Sequence, residues 1–251
     1  MRRGHRPSQA AGGRIRFWGR HAVIAALANP EREVRKLWGT REAVDALAVQ
    51  LPSILPVTFA DVADLGRMVP SDAPHQGLVI EVDPLEDIWI GDLIEHGRDD
   101  RRPLVVLDQV TDPHNVGAVL RSAAAFNALG IVTQDRHAPP ESGALARAAS
   151  GALELVPWVR VVNLARALEE IAEATFWRVG LAGDGPVVIG EAFNEAKVAL
   201  VLGAEGEGMR QNVKSHCDLI ARLPISPRIE SLNVSNAAAV ALYAEANRGN
   251  R

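Results

Sequence analysis

The feature that most constrains the fold is an alternation of short apolar segments with helical segments, which runs from Leu104 to the C-terminal region. Residues 104–108, LVVLD, form an unbroken apolar run that ends on a polar residue, as is typical of a strand buried on both faces. Comparable runs are found at 131–134, 177–183, 197–203 and 219–225. Because helical segments separate these runs, we predict an α/β fold with a mostly parallel sheet covered on both faces.

The segments between these strands complete the prediction for the C-terminal domain, residues 103–251. Asn163 is a good N-cap for an amphipathic helix. The remaining predictions are a short helix after Gly208, helices at 115–127, 144–150, 163–174 and 231–248, and extended segments at 153–158 and 159–162.

A smaller α/β pattern precedes this domain, at residues 14–84. We predict helices at 19–30 and 41–49, a short helix from Asp61, and strands at 34–39, 55–60 and 77–84. Residues 85–102 are charged and are predicted to be a linker between the two domains. Residues 1–13 lack periodicity and are predicted to be a flexible basic tail.

The charge distribution is more informative than the net charge of −4. Residues 1–41 hold ten Lys or Arg and two acids, whereas the rest of the chain holds 17 basic and 29 acidic residues. A basic arm on an acidic body suits docking on phosphate, although a solubilising tail has the same composition.

Several classes of protein are excluded. No apolar run is long enough for a membrane span, and the basic start lacks the apolar core of a secretory signal. The single cysteine, Cys217, rules out a disulfide framework within the chain. The seven histidines show no metal-ligand spacing, so we predict no metal site. We therefore expect a cytoplasmic protein.

The first polar stretch, DQVTDPHNVGAVLRS, begins where the strand at 104–108 ends. A helix opens at or near Asn115, and Gly117 in its first turn allows close approach of another backbone or a ligand. Arg121 follows among small and apolar residues, where burial of an unpaired charge would be costly. It either pairs with a carboxylate or holds an RNA phosphate bidentately, and the pattern leaves both interpretations open.

The second polar stretch, LGAEGEGM, follows the strand at 197–203 and contains three glycines within residues 203–208. It matches neither the dinucleotide-binding fingerprint nor a Walker A loop. Because Glu205 and Glu207 would repel phosphate, the loop suits a cationic or hydroxyl-bearing ligand. An ordinary glycine-rich turn has the same composition.

The third polar stretch, LPISPRIESLNVSN, follows the last predicted strand. Two prolines fix an irregular loop, after which Ser231 or Asn233 caps the closing helix. More polar groups are present than a cap requires, which favours a binding surface over a merely solvated turn: Ser231, Asn233, Ser235 and Asn236. All three stretches follow strands, and the carboxyl edge of a parallel sheet is where ligands bind.

Taken in order, TDPHNVGAVLRSA, LVLGAEGEGM and ESLNVSNAAAV resemble the three signature motifs of the SPOUT methyltransferases, in the branch that methylates ribose 2′-hydroxyls of rRNA and tRNA. The resemblance covers about residues 103–248. The segment GRHAVIAAL and residues 75–77 resemble the small substrate-binding domain of that family, which is similar to a ribosomal-protein fold. The architecture most resembles the subgroup that modifies a guanosine of large-subunit (23S) rRNA.

The resemblance implies a C-terminal domain with a trefoil knot, S-adenosylmethionine as cofactor, and a homodimer in which both subunits form each active site. The implied catalytic residues are Arg121, Asn115, Glu205, Ser231 and Asn233. The implied cofactor-binding residues are Gly203, Ala204, Gly206, Gly208, Leu223, Ile225 and Leu232. The implied RNA-binding residues are Arg2, Arg3, Arg6, Arg14, Arg16, Arg20 and His21.

In this interpretation Arg121 is central, either as the base or, since Arg stays protonated, as a clamp on the adjacent phosphate. Asn115 positions the ribose or Arg121, Glu205 orients Arg121 or the hydroxyl, and the third stretch completes the pocket. The alternatives are a tRNA ribose methyltransferase, although tRNA-specific members often lack such an N-terminal domain, and a catalytically silent RNA-binding protein. A nicotinamide-dependent enzyme is disfavoured because the G-x-G-x-x-G fingerprint is absent.

Overall fold

The computed structural model describes residues 14–47, 49, 51–194 and 196–248, and within these residues the strands form two sheets. The smaller sheet has four strands in the order β1-β4-β2-β3, and we call its part of the chain the small unit. Its elements are β1 (Ile15–Trp18), α1 (Arg20–Ala28), β2 (Val34–Gly39), α2 (Arg41–Asp45), β3 (Val57–Phe59), α3 (Val62–Gly66) and β4 (Leu78–Val82).

Two details of the small unit differ from the prediction. The strand β1 was not predicted, and it pairs antiparallel with β4, with Phe17 opposite Ile80. The helix α2 ends at Asp45 rather than at residue 49. The short helix predicted from Asp61 is confirmed as α3, and Asp61 is its N-cap, since its carboxylate accepts a hydrogen bond from the Asp64 N–H at 2.7 Å.

The larger sheet has seven strands in the order β7-β6-β5-β10-β8-β11-β9, and we call its part of the chain the large unit. Its elements are α4 (Ile90–His96), β5 (Leu104–Asp108), α5 (Pro113–Ala125), β6 (Gly130–Gln134), α6 (Gly143–Ala149), β7 (Trp158–Val161), α7 (Leu164–Glu173), β8 (Phe176–Leu181), β9 (Val187–Val188), β10 (Lys197–Gly203), α8 (Gln211–Lys214), β11 (Leu219–Arg222) and α9 (Val234–Ala246).

All recorded pairings within the large sheet are parallel, which confirms the predicted α/β fold. Buried side chains of α5, α6 and α9 join one apolar cluster, and those of α4, α7 and α8 join another. The sheet is therefore covered on both faces, as the unbroken apolar strands require. No helix within the described residues is long and apolar enough to span a membrane.

The helix α4 lies in the segment predicted to be a linker. Leu93 is buried against the start of β6, where a Cβ on Gly130 would lie 2.8 Å from its side chain. The flanking charges obscured the helical spacing of Ile90 and Leu93, which add to the core of the large unit. The segment is thus part of the packed structure of the large unit.

Other local predictions for the large unit were wrong. Residues 152–154 form a 3-10 turn instead of a strand, because Ser150 and Gly151 adopt positive φ of 52° and 94° and reverse the chain. The closing helix begins at Val234 and not at Ser231. The short strand β9 and the 3-10 turn at 189–191 were not predicted.

The two units pack closely through α6. A Cβ on Gly143 would come within 1.9 Å of the Trp18 ring and 2.3 Å of the Arg16 carbonyl oxygen, so β1 lies directly on the start of α6. Gly117 likewise allows α5 to approach α6, as its position in the first motif predicted: a Cβ there would lie 2.6 Å from the Leu145 oxygen. One apolar cluster runs through both units.

Candidate active site

The predicted site residues lie at the carboxyl edge of the large sheet. Asn115 is in the first turn of α5, which Asp112 caps by accepting a hydrogen bond from the His114 N–H at 2.9 Å. Glu205 lies in the loop that follows β10, next to β5 in the sheet. Asn233 is the N-cap of α9 and accepts a hydrogen bond from the Ser235 N–H at 2.9 Å.

Three of the five predicted catalytic residues form one hydrogen-bonded group, which we call the edge cluster: Asn115, Glu205 and Asn233. The Asn115 amide donates to Oε1 of Glu205 at 3.2 Å, and the Asn233 amide donates to Oδ1 of Asn115 at 2.9 Å. Asn233 also donates to the same Glu205 oxygen, as does the Val234 N–H at 3.4 Å. None of the hydrogen bonds among the described residues uses Oε2 of Glu205, which is left for another donor.

The loop after β10 is a tight turn whose outer side is uncovered. Ala204 and Gly208 form an isolated antiparallel bridge, with the Gly208 N–H donating to the Ala204 oxygen at 3.0 Å. A Cβ on Gly203 would lie 2.0 Å from the Gly208 carbonyl carbon, so glycine is required there. Gly206 and Gly208 have φ of 80° and 69°, and a Cβ at either position would meet open space.

An ion pair that the sequence did not reveal anchors this loop, and we call it the edge ion pair: Asp108 and Arg210. The fully buried Asp108 carboxylate accepts from Nε and Nη2 of Arg210 at 2.9 and 2.6 Å and from the Arg210 backbone N–H at 2.8 Å. Nη2 also donates to Gln134 at 2.7 Å. The available signal was an acid that ends an otherwise apolar strand.

Arg121 and Ser231 do not join the edge cluster. Arg121 is exposed on α5, so its expected burial among apolar residues was wrong, since those residues face the other side of the helix. No hydrogen bond or ion pair to Arg121 is found among the described residues, so the carboxylate partner considered for it is not observed there. Ser231 is exposed and precedes the helix, whose cap is Asn233.

The remaining predicted cofactor residues lie in the loop between β11 and α9. The Ile225 N–H donates to the Leu223 oxygen at 2.9 Å, which turns the chain sharply. Ile225 and Ile229 expose 36% and 58% of their surface, and Leu232 is half-buried next to the edge cluster residue Asn233. This loop therefore offers uncovered apolar surface at the same edge.

The predicted RNA-binding residues divide into three groups. Arg14 and Arg16 have side chains 67% and 44% exposed and face Glu81 at 3.1 and 3.8 Å. Arg20 is half-buried and donates to the Ala46 oxygen at 2.5 Å, whereas His21 is exposed. The third group lies outside the described residues: Arg2, Arg3 and Arg6.

The 75–77 segment, predicted from the resemblance to belong to the substrate-binding domain, contacts both units. The Gln76 side-chain oxygen accepts from the Arg20 N–H at 3.0 Å and from Nη1 of Arg147, in α6, at 3.1 Å. Gln76 and Gly77 adopt φ of 54° and 76°, which turns the loop toward the large unit. Within the described part of the chain, no group of three or more His, Cys, Asp or Glu residues is placed to hold a metal ion.

Two family models match this chain. Residues 17–88 match the family described as RNA 2′-O ribose methyltransferase substrate binding, and residues 102–243 match the SpoU rRNA Methylase family. The chain belongs to the SpoU rRNA methylase family. The resemblance read from the three sequence motifs is thereby confirmed, and with it the class of an RNA ribose 2′-O-methyltransferase.

Relatives in this SpoU family match nearly the whole chain. The 23S rRNA (guanosine-2′-O-)-methyltransferase RlmB of Pseudomonas aeruginosa is 35% identical over 236 residues, which cover 91% of this chain and 94% of the relative. The protein of that name from Pasteurella multocida is 36% identical, with 90% and 95% covered. The SpoU methyltransferase AviRb from Streptomyces viridochromogenes, solved with AdoMet, shares the fold with a TM-score of 0.78 at 23% identity, with 94% and 90% covered.

Proposed function

We propose that this SpoU family member transfers a methyl group from S-adenosylmethionine to a ribose 2′-hydroxyl of RNA, with a guanosine of 23S rRNA as its target. The observation that carries the proposal is the edge cluster, which brings Asn115, Glu205 and Asn233 together at the ligand-binding edge of a parallel sheet. The relatives named for 23S rRNA, at 35% and 36% identity, support the choice of RNA.

The residues at the edge fit S-adenosylmethionine. The backbone is uncovered at Gly206 and Gly208, and Ile225 offers apolar surface of the kind that an adenine ring covers. The Glu205 carboxylate is compatible with a cation and would repel a phosphate. The cofactor, when bound, supplies a methyl group on a cationic sulfonium. The residues proposed to hold it are Gly203, Ala204, Gly206, Gly208, Leu223, Ile225 and Leu232.

We assign the orientation of the 2′-hydroxyl to Glu205. Its Oε1 is committed to two amide side chains and the Val234 N–H, which fixes the carboxylate, while Oε2 stays available to accept a hydrogen bond from the ribose. A fixed acceptor aligns a weak nucleophile and draws away its proton as the new bond forms. Asn115 and Asn233 act through Glu205 in this proposal, as positioning residues.

Arg121 is proposed as a phosphate clamp. Its guanidinium is exposed, and a planar fork of N–H donors matches phosphate oxygens bidentately. Because a guanidinium keeps its proton in proteins, Arg121 stabilises negative charge that develops on the 2′-oxygen rather than accepting a proton. Ser231 is proposed to complete the pocket from the loop before α9.

We propose a homodimer that buries the outer faces of α5 and α9. α9 exposes 43% of Val240 and 59% of Tyr243, and the Tyr243 ring lies edge-on to Phe126 at 6.2 Å. Arg121 follows Asn115 by six residues, which at about 100° per residue turns it some 120° away from the edge cluster of its own chain. In the dimer, Arg121 of one protomer would serve the site of its partner.

Three further predictions made from the sequence and its family resemblance are kept as proposals. They are the trefoil knot, the cytoplasmic location, and the division into domains at 14–84 and 103–251 with a basic tail at 1–13; the intervening residues 85–102 include α4, which packs with the large unit. The path of the chain supports the knot, since the loop from β11 to α9 passes from beyond β8 back to a helix that packs on α5. The exposed Arg14 and Arg16 support a role of the small unit in RNA binding, with affinity that falls as salt rises.

The experiment that tests the function is methyl transfer from labelled S-adenosylmethionine to 23S rRNA and to tRNA, followed by mapping of the modified ribose. We expect one labelled guanosine in 23S rRNA. Transfer to tRNA alone would replace the proposed substrate. If neither RNA accepts methyl while Arg121→Ala leaves RNA binding unchanged, the chain is a binding protein and the enzyme proposal fails.

A further inference from the structure

A fully buried guanidinium lies between the two units. Arg32, in the loop between α1 and β2, has a side chain that is 0% exposed. Its Nε and Nη2 donate to Glu154 at 3.1 and 2.7 Å, and its Nη1 donates to Glu141 at 2.5 Å and to the backbone carbonyl oxygen of Asp83 at 2.8 Å. Arg32 comes from the small unit and both glutamates from the large unit, and we call the three the junction network.

The two glutamates are satisfied as completely as the arginine. Their side chains are 4% and 3% exposed. The free oxygen of Glu141 accepts from the Leu85 N–H at 3.3 Å, and Oε2 of Glu154 accepts from the Asn29 amide at 2.8 Å. The Arg32 guanidinium also lies 5.2 Å from the Phe17 ring centroid. Every carboxylate oxygen of the junction network therefore has a donor.

Such a network is a costly way to join two surfaces. Buried ion pairs recover their desolvation cost only when the geometry is good, and apolar residues of similar volume often stabilise a protein as well or better. Elsewhere the units meet largely through apolar packing, such as α6 at Gly143 against Trp18, together with the exposed hydrogen bond from Arg147 to Gln76. Apolar packing is not directional, whereas a guanidinium fork donates its hydrogen bonds to carboxylates in fixed directions.

We propose that the junction network, Arg32 with Glu141 and Glu154, determines which ribose is methylated by fixing the small unit in one orientation on the large unit. This rests on the proposed function, in which the small unit holds RNA and the edge cluster orients the 2′-hydroxyl. A rigid junction fixes the distance between the RNA-binding surface of the small unit and Glu205. One nucleotide of the bound RNA therefore reaches the site. Misplacement of a nucleophile by about 1 Å lowers a rate by about a hundredfold.

The test compares the wild-type chain with two variants of the junction. The triple variant Arg32→Met/Glu141→Gln/Glu154→Gln removes the charges at similar volume, and Arg32→Lys keeps the charge but loses the fork. The matched control is Arg35→Met, because Arg35 is also an ion-paired arginine: its Nε donates to the Asp83 carboxylate at 2.9 Å. Arg35 is exposed, however, and its ion pairs stay within the small unit. Small-angle scattering, calorimetry with S-adenosylmethionine, and mapping of methylated riboses are measured on each.

We expect both junction variants to bind S-adenosylmethionine within twofold of wild type, since the edge cluster is untouched. We expect kcat/KM at the target ribose to fall at least tenfold, with methyl groups on neighbouring riboses and a larger radius of gyration. Arg35→Met should match wild type in all three measurements. If the triple variant does not fold, it will not bind the cofactor. The proposal is then tested with Arg32→Lys alone.

The proposal is overturned if a folded junction variant gives the wild-type scattering curve and methylates the same single ribose at the wild-type rate. It is also overturned if the rate falls with cofactor affinity while the site of methylation stays unique, because that pattern marks a purely structural role. If the wild-type chain methylates no RNA, the proposed function fails. Unchanged scattering in the variants is then the result that refutes the junction network separately.

Discussion

The substitution Arg210→Lys tests whether the edge ion pair holds the cofactor loop in place. Arg210 makes three side-chain hydrogen bonds, two to Asp108 at 2.9 and 2.6 Å and one to Gln134 at 2.7 Å. A lysine ammonium keeps the charge but replaces the fork with a single point donor. Asp108 would keep the backbone N–H of residue 210 and one ammonium contact, and the bond to Gln134 would be lost.

The magnitude follows from the hydrogen bonds that are lost. Both lost hydrogen bonds are donated by a charged guanidinium, and such a bond contributes about 1.5–3 kcal/mol. The Arg210 side chain is 38% exposed, so solvent replaces part of each lost interaction and the total falls below the sum of two such bonds. We therefore expect Arg210→Lys to lower the free energy of unfolding by about 2 kcal/mol. If the loop loosens as a result, cofactor affinity should fall about tenfold, which corresponds to about 1.4 kcal/mol.

Arg178→Lys is the matched control. Arg178 forms the same kind of fork with Asp218, at 2.9 and 2.7 Å, and the Asp218 carboxylate also accepts from the Arg178 backbone N–H at 2.8 Å. This pair joins the start of β8 to the residue before β11, at the amino edge of the sheet. The hydrogen bond from Arg178 holds the pKa of the Asp218 carboxyl below its ordinary value, and this effect outweighs the opposing effect of burial.

Urea unfolding and calorimetric titration with S-adenosylmethionine separate the two effects. Both variants should lose similar stability, while only Arg210→Lys should weaken cofactor binding. The reasoning is refuted if Arg210→Lys binds the cofactor as wild type does, or if Arg178→Lys weakens binding equally. In either case the edge ion pair would be a general stabilising contact and not an anchor of the loop.

Three further predictions concern single side chains. Arg121→Lys should raise the KM for RNA with little change in cofactor affinity, measured by calorimetry, because one ammonium cannot replace a bidentate fork; equal KM values would contradict the clamp. Glu205→Gln should lower kcat by about a hundredfold in single-turnover methylation, since the amide presents a weaker acceptor to the 2′-hydroxyl, and a kcat near wild type would exclude Glu205 from that role. Burial raises the pKa of Glu141 above its ordinary 4.5, so the folded state binds a proton more tightly than the unfolded state. Wild type should therefore lose stability relative to Glu141→Gln as pH rises from 4.5 through the raised pKa, and parallel stability curves in urea titrations at several pH values would refute this.

Local signals predicted the elements that depend on local chemistry. The strand 34–39 has the predicted bounds, and Asn163 caps α7 by accepting from the Ala165 N–H at 3.0 Å. Unbroken apolar runs such as residues 104–108 became the central parallel strands, since only burial on both faces suits such runs. A cap or an apolar run depends on neighbours a few residues away, so the sequence contains the whole signal.

The features that sequence reasoning missed depend on distant parts of the chain. β1 exists because β4, more than sixty residues later, offers it a partner, and no property of residues 15–18 required this. Arg210 meets Asp108 across 102 residues, and Arg32 meets Glu154 across 122. Arg121 was misjudged because a charge among alanines on a helix says nothing of which face it occupies. Pairing across such separations is decided by the topology of the sheets.

The edge ion pair and the junction network have the same physical role. Each uses directional hydrogen bonds between charged groups to fix the position of a part of the chain, where apolar packing would often give equal or greater stability. Each buries charged partners that a matching set of apolar residues would often replace without loss of stability, so each belongs where orientation matters. The two networks share no residue. In our proposals the edge ion pair holds the loop that binds the cofactor, and the junction network holds the small unit, which binds RNA. We therefore expect Arg210→Lys combined with the triple junction variant to lose kcat/KM by the product of the separate factors, additive in free energy within about 0.5 kcal/mol. A combined loss much smaller than the product would show that both networks act through one shared motion, and would refute their independence.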